Sequence, residues 1–240
     1  MNQQFLTELK AVTAENRIFT DESMKKHTTF RVGGPADILV QPKGTELAAV
    51  IRLCRKYDVP YQVIGNGSNL LVGDRGIRGL VIEMLSKEDE ICVEDDCITV
   101  GAGMLLSKTA NRAADHGLTG MEFAAGIPGS IGGAVVMNAG AYGGEMKDIL
   151  TAVTVLDQEG NEKILSAEEL ELGYRTSCIL KKGYIVTGAK IKLKHGEETA
   201  IRARMEELKK QRVEKQPLEY PSAGSTFKRP EGYFAGKLIM

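Results

Sequence analysis

Seven glycines, one proline and no charge fall within Ala124-Ala-Gly-Ile-Pro-Gly-Ser-Ile-Gly-Gly-Ala-Val-Val-Met-Asn-Ala-Gly-Ala-Tyr-Gly-Gly144. A regular helix or strand carries such a load badly, because each interior glycine costs about 0.5–1 kcal/mol relative to alanine. The stretch makes sense where backbone must pass very close to something or take positive φ repeatedly. Bare N–H groups in a small-residue turn running into a short helix make an anion cradle. A tightly packed glycine crossing without a ligand fits the same composition. Ser130, Asn138 and Tyr142 tilt the reading toward a ligand, because they place polar groups in an otherwise apolar lining.

A formal net charge of −1 argues against a general nucleic-acid or membrane surface, so an anionic ligand must be met by local cations and backbone amides. No apolar run approaches the roughly 20 residues that span a bilayer, and the first residues do not resemble a signal peptide. Cys54, Cys92, Cys97 and Cys178 fall in apolar, helix- or strand-like settings, and Cys92 and Cys97 flank a hairpin tip rather than forming a zinc signature. A reduced, cytoplasmic chain is the simplest expectation.

In chain order, 3–16 reads as an amphipathic helix. Residues 28–42 read as strand, turn and strand around Gly33-Gly-Pro35. A helix over 45–57 and a strand over 61–64 then suggest a β–α–β unit with a parallel pair. Directly after that strand stands Gly65-Asn-Gly-Ser-Asn69, a second loop of phosphate-binding character, for which a plain β-turn is the competing reading. Short strands are expected at 70–72 and 79–83, a hairpin over 90–103, and a helix over 105–116 closed by Gly117. Beyond the glycine stretch come a hairpin over 152–165, a short acidic helix over 167–172 and a strand over 184–193. A charged helix over 197–215 should bury Ile201, Met205, Leu208 and Val213.

Familiar catalytic signatures are missing. Gly101-Ala-Gly103 and Gly65-Asn-Gly67 both lack the third glycine of the dinucleotide fingerprint. The run 103–109 imitates a phosphate-binding P-loop but lacks the glycine before Lys108. His27, His116 and His195 lie far apart without carboxylate spacing, so no metal site is expected. What remains is two glycine loops and a polar late segment, Tyr220-Pro-Ser-Ala-Gly-Ser-Thr-Phe-Lys-Arg-Pro230.

Four separated stretches together resemble the UDP-N-acetylenolpyruvoylglucosamine reductase family in its Gram-positive form. They are His27-Thr-Thr-Phe-Arg-Val-Gly-Gly-Pro-Ala36, Ile64-Gly-Asn-Gly-Ser-Asn-Leu-Leu71, residues 120–144, and Tyr174-Arg-Thr-Ser177 with Ala223-Gly-Ser-Thr-Phe227. The resemblance implies an α+β fold: a two-lobed FAD-binding unit of the vanillyl-alcohol-oxidase (PCMH) type (lobes 1–82 and 83–196), then a connector helix and the start of a substrate-binding domain (197–240). It implies FAD against Gly65, Asn66, Gly67, Ser68 and Asn69, and against Gly126, Ile127, Pro128, Gly129, Ser130, Gly132 and Gly133. Gly140, Ala141 and Ile185 are further implied cofactor contacts. NADPH is the implied hydride donor, and a UDP-sugar carrying an enolpyruvyl ether the substrate. Arg175 is implied to hold the substrate carboxylate and Ser225 to donate a proton, while Tyr142, Arg212, Lys215 and Lys228 face the substrate. Outside this pattern Arg175 would read as a strand-end arginine in a surface ion pair, and Ser225 as a turn serine beside Gly224.

Two departures bear on these expectations. Arg229 stands where the family commonly has asparagine, and the family's catalytic glutamate has no counterpart before Met240. The 240-residue chain is therefore expected to bind FAD yet turn over poorly. Another FAD-linked oxidoreductase of the same fold and a flavin-binding fragment without turnover remain the alternative readings.

Overall fold

The computed structural model describes residues 3–84, 91–228, 230–233 and 235–239. Helix α1 (Gln3–Val12) buries Phe5 and Leu9, one turn apart. Strands β1 (Ile18–Ser23) and β2 (Pro35–Val40) pair antiparallel, with Ile18 opposite Val40. Helix α2 (Glu46–Lys56) presents Leu47, Val50, Ile51 and Cys54 at helical spacing to the core. Strands β3 (Tyr61–Ile64) and β4 (Ile77–Glu83) complete a sheet ordered β1-β2-β4-β3. The expected parallel relation holds, but β4 inserts between β2 and β3 and pairs parallel with both. Its Leu80, Val81 and Ile82 are fully buried, as suits a central strand covered on both faces.

Two expectations fail in this sheet. Residues 70–72 form no strand, and neither do 28–32. In the latter, Arg31 takes φ 57° and its N–H donates to the Thr28 carbonyl, closing a turn. Thr29 N–H goes instead to Gly67 O at 3.2 Å, so a tertiary bond overrides the strand preference of Thr, Phe and Val.

The second half opens with the hairpin β5 (Ile91–Glu94) and β6 (Cys97–Gly101), then α3 (Leu106–Asp115), ended by Gly117 at φ 63°. A short β7 (Leu118–Thr119) precedes the glycine-rich stretch, which folds into α4 (Ile131–Val136) and the tight pair β8 (Gly140–Ala141) and β9 (Gly144–Glu145). Strands β10 (Leu150–Leu156) and β11 (Glu162–Ser166), helix α5 (Cys178–Lys182) and strand β12 (Ile185–Lys192) follow. The antiparallel sheet runs β11-β10-β12-β6-β5, and its core packs α3 and α4 against it through Ala110, Ala113, Ile131 and Val135. Residues 167–172 make turns rather than a helix. Ser166 and Glu169 cap one another, and Cys178 N–H takes the Leu170 carbonyl, ending the turn after Leu170 is buried. Strand β13 (Lys194–His195) pairs with β7, and α6 (Glu198–Lys215) buries Ile201 and Leu208, whereas Val213 is exposed. A short α7 (Ala235–Ile239) lies near the end. All four cysteines are free; Cys54 and Cys178 are buried, but Cys92 is exposed. Among the described residues no helix is long and apolar enough to cross a membrane.

The two sheets share apolar substance. Leu156 and Ile185, from the second sheet, are buried in the core of the first beside Ile82 and Leu80. Burying each is worth about 1.5–3 kcal/mol. Nearby, Arg52 of α2 donates to the carbonyls of Glu159 (3.3 Å) and Gly160 (2.9 Å) in the β10–β11 turn. Asp157 holds that turn by accepting from the N–H groups of Glu159 (3.0 Å) and Asn161 (2.9 Å), with Lys163 at 3.1 Å. The Asn161 N–H above all, helped by Lys163, holds the Asp157 carboxyl down to about 2 against the opposite pull of burial. A depressed carboxyl stabilises the fold above the ordinary carboxylate range near about 3.9 and loses that contribution as pH falls through about 2. Asp157→Ala should therefore unfold at lower urea than the parent at neutral pH, and the two midpoints should converge as pH approaches about 2.

Candidate active site

The loop 65–69 leaves β3 and turns at Gly67, which has φ +59° and no room for a side chain. A Cβ there would stand 2.0 Å from the His27 carbonyl oxygen. At Gly65 a Cβ would stand 2.0 Å from Ser130 Oγ, and the Asn66 side chain donates to the Pro128 carbonyl at 2.6 Å. The two glycine loops, 62 residues apart in sequence at this hydrogen bond, are therefore one place. The backbone N–H groups of 65–69 make no hydrogen bond to a described residue, and neither do those of Gly126, Gly129 and Ser130. Uncommitted amides on two loops brought together through a glycine are what an anion such as a diphosphate requires.

The helix start contributes differently from expectation. The N–H of Ile131 goes to Met104 O (2.8 Å), that of Gly132 to Ala102 O (2.7 Å) and that of Gly133 to Ser130 Oγ (3.4 Å). The amides of Gly132 and Gly133 are thus engaged within the protein. Gly132 serves by close approach, since a Cβ on it would stand 3.0 Å from the Ala102 methyl. Ile127 gives its N–H to Ala124 O, and Pro128 supplies the carbonyl that Asn66 grips.

Further along the same stretch, Arg175 lays its guanidinium on the carbonyls of Asn138 (3.4 Å) and Gly140 (3.0 Å), with Tyr174 beneath it at 5.3 Å. Two of its N–H donors are engaged there, which leaves others for a ligand. Tyr142, at φ +53°, and Gly143, at φ +89°, form the tip between β8 and β9 that follows Gly140 and Ala141. Asn138 is a correction: it is fully buried with its amide wholly engaged inside the protein, so it is not a ligand-facing group.

The late segment returns to the first loop. Thr29 Oγ1 donates to Ser222 O at 2.6 Å, and a Cβ at Gly224 would stand 3.8 Å from Asn69 Oδ1 and 3.9 Å from Ser68 O. Ser225 follows directly and is exposed. From α6, the Arg212 side chain lies against Gly126, 3.3 Å from where a Cβ would be. Lys215 and Lys228 are exposed, with no described contact to the loops. Ile185 is buried in the core between the sheets rather than brought to the glycine loops. Arg229 lies outside the described residues. The sequence reading missed Thr29, whose bonds to Gly67 and Ser222 join its own motif stretch to the first glycine loop and to the residue just before Ala223. Its only signal was its place within His27-Thr-Thr.

Residues 36–166 match the family described as FAD binding domain. The UDP-N-acetylenolpyruvoylglucosamine reductase of Agathobacter rectalis is 53% identical over 252 residues, covering 100% of this chain and 80% of that protein. The crystal structure of UDP-N-acetylenolpyruvylglucosamine reductase from Thermus caldophilus superposes with a TM-score of 0.78 at 42% identity, over 90% of this chain and 77% of that one. The p-cresol methylhydroxylase structure, at 15% identity and a TM-score of 0.58 over 82% of this chain and 44% of that one, shares the fold alone. The two sheets with their helices are thus the two lobes of a PCMH-type FAD-binding fold, and the paired loops suit the FAD diphosphate. Gly67→Ala combines strained φ with a clash on backbone that cannot yield. The variant should purify with less flavin than the parent, read as the ratio of visible to ultraviolet absorbance.

Proposed function

Because the chain belongs to the UDP-N-acetylenolpyruvoylglucosamine reductase family, we propose that it reduces the enolpyruvyl ether of UDP-N-acetylenolpyruvoylglucosamine to the lactyl ether of UDP-N-acetylmuramate in peptidoglycan precursor synthesis. The observation that carries the reading is the meeting of both glycine loops, Arg212 and the segment before Ser225 around uncommitted amides. FAD, held against the two glycine loops, would supply two-electron chemistry between NADPH and the enolpyruvyl group.

The residues of the chain do the rest. As hydride adds at C3, electron density moves onto the neighbouring carboxylate. Arg175 holds that carboxylate by two points, a grip that strengthens as charge develops. Its anchoring to two main-chain carbonyls keeps the guanidinium pointed before substrate arrives. Ser225 gives its proton to C2. A serine hydroxyl is a weak acid, so this step needs a strongly basic carbon and a site closed to water. Ser225 is exposed and has no described hydrogen bond, and we expect protonation to be the slow step in this chain. Arg212, Lys215, Lys228 and Tyr142 are assigned to the sugar nucleotide, with Arg212 best supported by its place on Gly126. We place the lobe boundary near 82–83 and assign 197–240 to the connector helix, α6, and the start of the substrate-binding domain.

Anaerobic stopped-flow absorbance tests the assignment. NADPH should bleach the flavin, and UDP-N-acetylenolpyruvoylglucosamine should then restore its colour. Arg175→Lys should slow the second phase by about 10²–10³, because an ammonium cannot reproduce the planar grip. Ser225→Ala should leave the first phase intact and slow only the second. Equal slowing of both phases in Ser225→Ala would remove the serine from the proton-donor role.

A further inference from the structure

Asn138 has φ +40°, a conformation asparagine tolerates better than most residues, and it is fully buried. Both donors and the carbonyl oxygen of its side chain are engaged. Nδ2 donates to Glu145 Oε2 (2.9 Å) and to Gly173 O (3.1 Å), while Oδ1 accepts from Lys147 N–H (2.9 Å). The Lys147 amide can only donate and the Gly173 carbonyl can only accept, so the orientation of the Asn138 amide is fixed. Gly173 opens a tight turn in which it exchanges hydrogen bonds with Thr176, N–H to O at 3.1 and 3.2 Å. Arg175 sits in that turn at φ +56°, a left-handed backbone that costs an arginine about 1–2 kcal/mol. The main-chain carbonyl of Asn138 then accepts from Arg175 Nη1. One residue thus holds the base of the turn with its side chain and the tip of the arginine with its backbone.

We propose that Asn138 is a positioning residue: it clamps the strained 173–176 turn and so aims the Arg175 guanidinium. No sidestep is available to the amide, because aspartate would turn an acceptor toward both Gly173 O and the Glu145 carboxylate. The inference rests on the reading of Arg175 as the carboxylate-holding group.

Asn138→Gly deletes the side-chain amide while keeping the positive φ free of the strain that alanine would add. Three proteins, Asn138→Gly, Arg175→Lys and the pair together, are compared with the parent for the rate of flavin reoxidation by UDP-N-acetylenolpyruvoylglucosamine. Binding of FAD is followed separately by flavin fluorescence. Asn138→Gly should slow reoxidation by about 10–100-fold, as loss of an orienting partner does. Its FAD affinity should stay within about threefold, and adding it to Arg175→Lys should slow the reaction little further, because coupled residues are not additive. Multiplying effects, or a parental rate in Asn138→Gly, would overturn the proposal. If Arg175→Lys itself reacts at the parental rate, the functional reading of Arg175 falls, and geometry alone then decides about Asn138. In a crystal structure of FAD-loaded Asn138→Gly the guanidinium should have left the carbonyls of residues 138 and 140. Finding it still bonded to both would overturn the proposal whatever Arg175 does.

Discussion

The contact on which the site depends is the close approach of the two loops, where the Gly65 backbone meets the Ser130 hydroxyl and the Asn66 side chain reaches the Pro128 carbonyl. The first loop leaves β3 and the second runs into α4, and glycine at 65 leaves room for the Ser130 hydroxyl between them. A methyl group at Gly65 would displace the Ser130 hydroxyl, which caps α4 through Gly133. Close approach, free amides and the helix start are thus tied to one another. None of the three can be altered alone.

The rest of the architecture holds this meeting in place. The first sheet and α2 are bound to the second by Leu156 and Ile185 in a common core, and by Arg52 on the β10–β11 turn. The loops then stand on elements that cannot drift apart, which is the condition for an anion site made of amides rather than of charges. That condition matters for a chain of net charge −1. Arg212 and Arg175 bring cationic groups to the glycine stretch from elements remote in sequence, α6 and the 173–176 turn.

Asn138 shows how function and strain are joined. Positive φ at Asn138, Tyr142 and Arg175 concentrates unfavourable backbone within one neighbourhood. The Asn138 side chain, donating to Glu145 and Gly173 and accepting from the Lys147 N–H, holds it there. Strain of this kind persists only where the surroundings over-determine it.

Elements with strong periodicity, such as α2 and α3, and the two glycine loops are legible in the amino-acid order alone. Those signals are local: apolar spacing and missing side chains are properties of neighbouring residues. The sequence also marked Arg175, Ser225 and Arg212 through the motif pattern. Which amides remain free is set by long-range contacts in the fold, because the partners of Ile131 and Gly132 lie at Met104 and Ala102. The tertiary structure alone turned 28–32 from a strand into a support for Gly67, sent Ile185 into the core and made Asn138 a strut. A hydrogen bond or buried contact between residues tens of positions apart leaves no trace in either residue's local pattern, so its outcome waits on the fold.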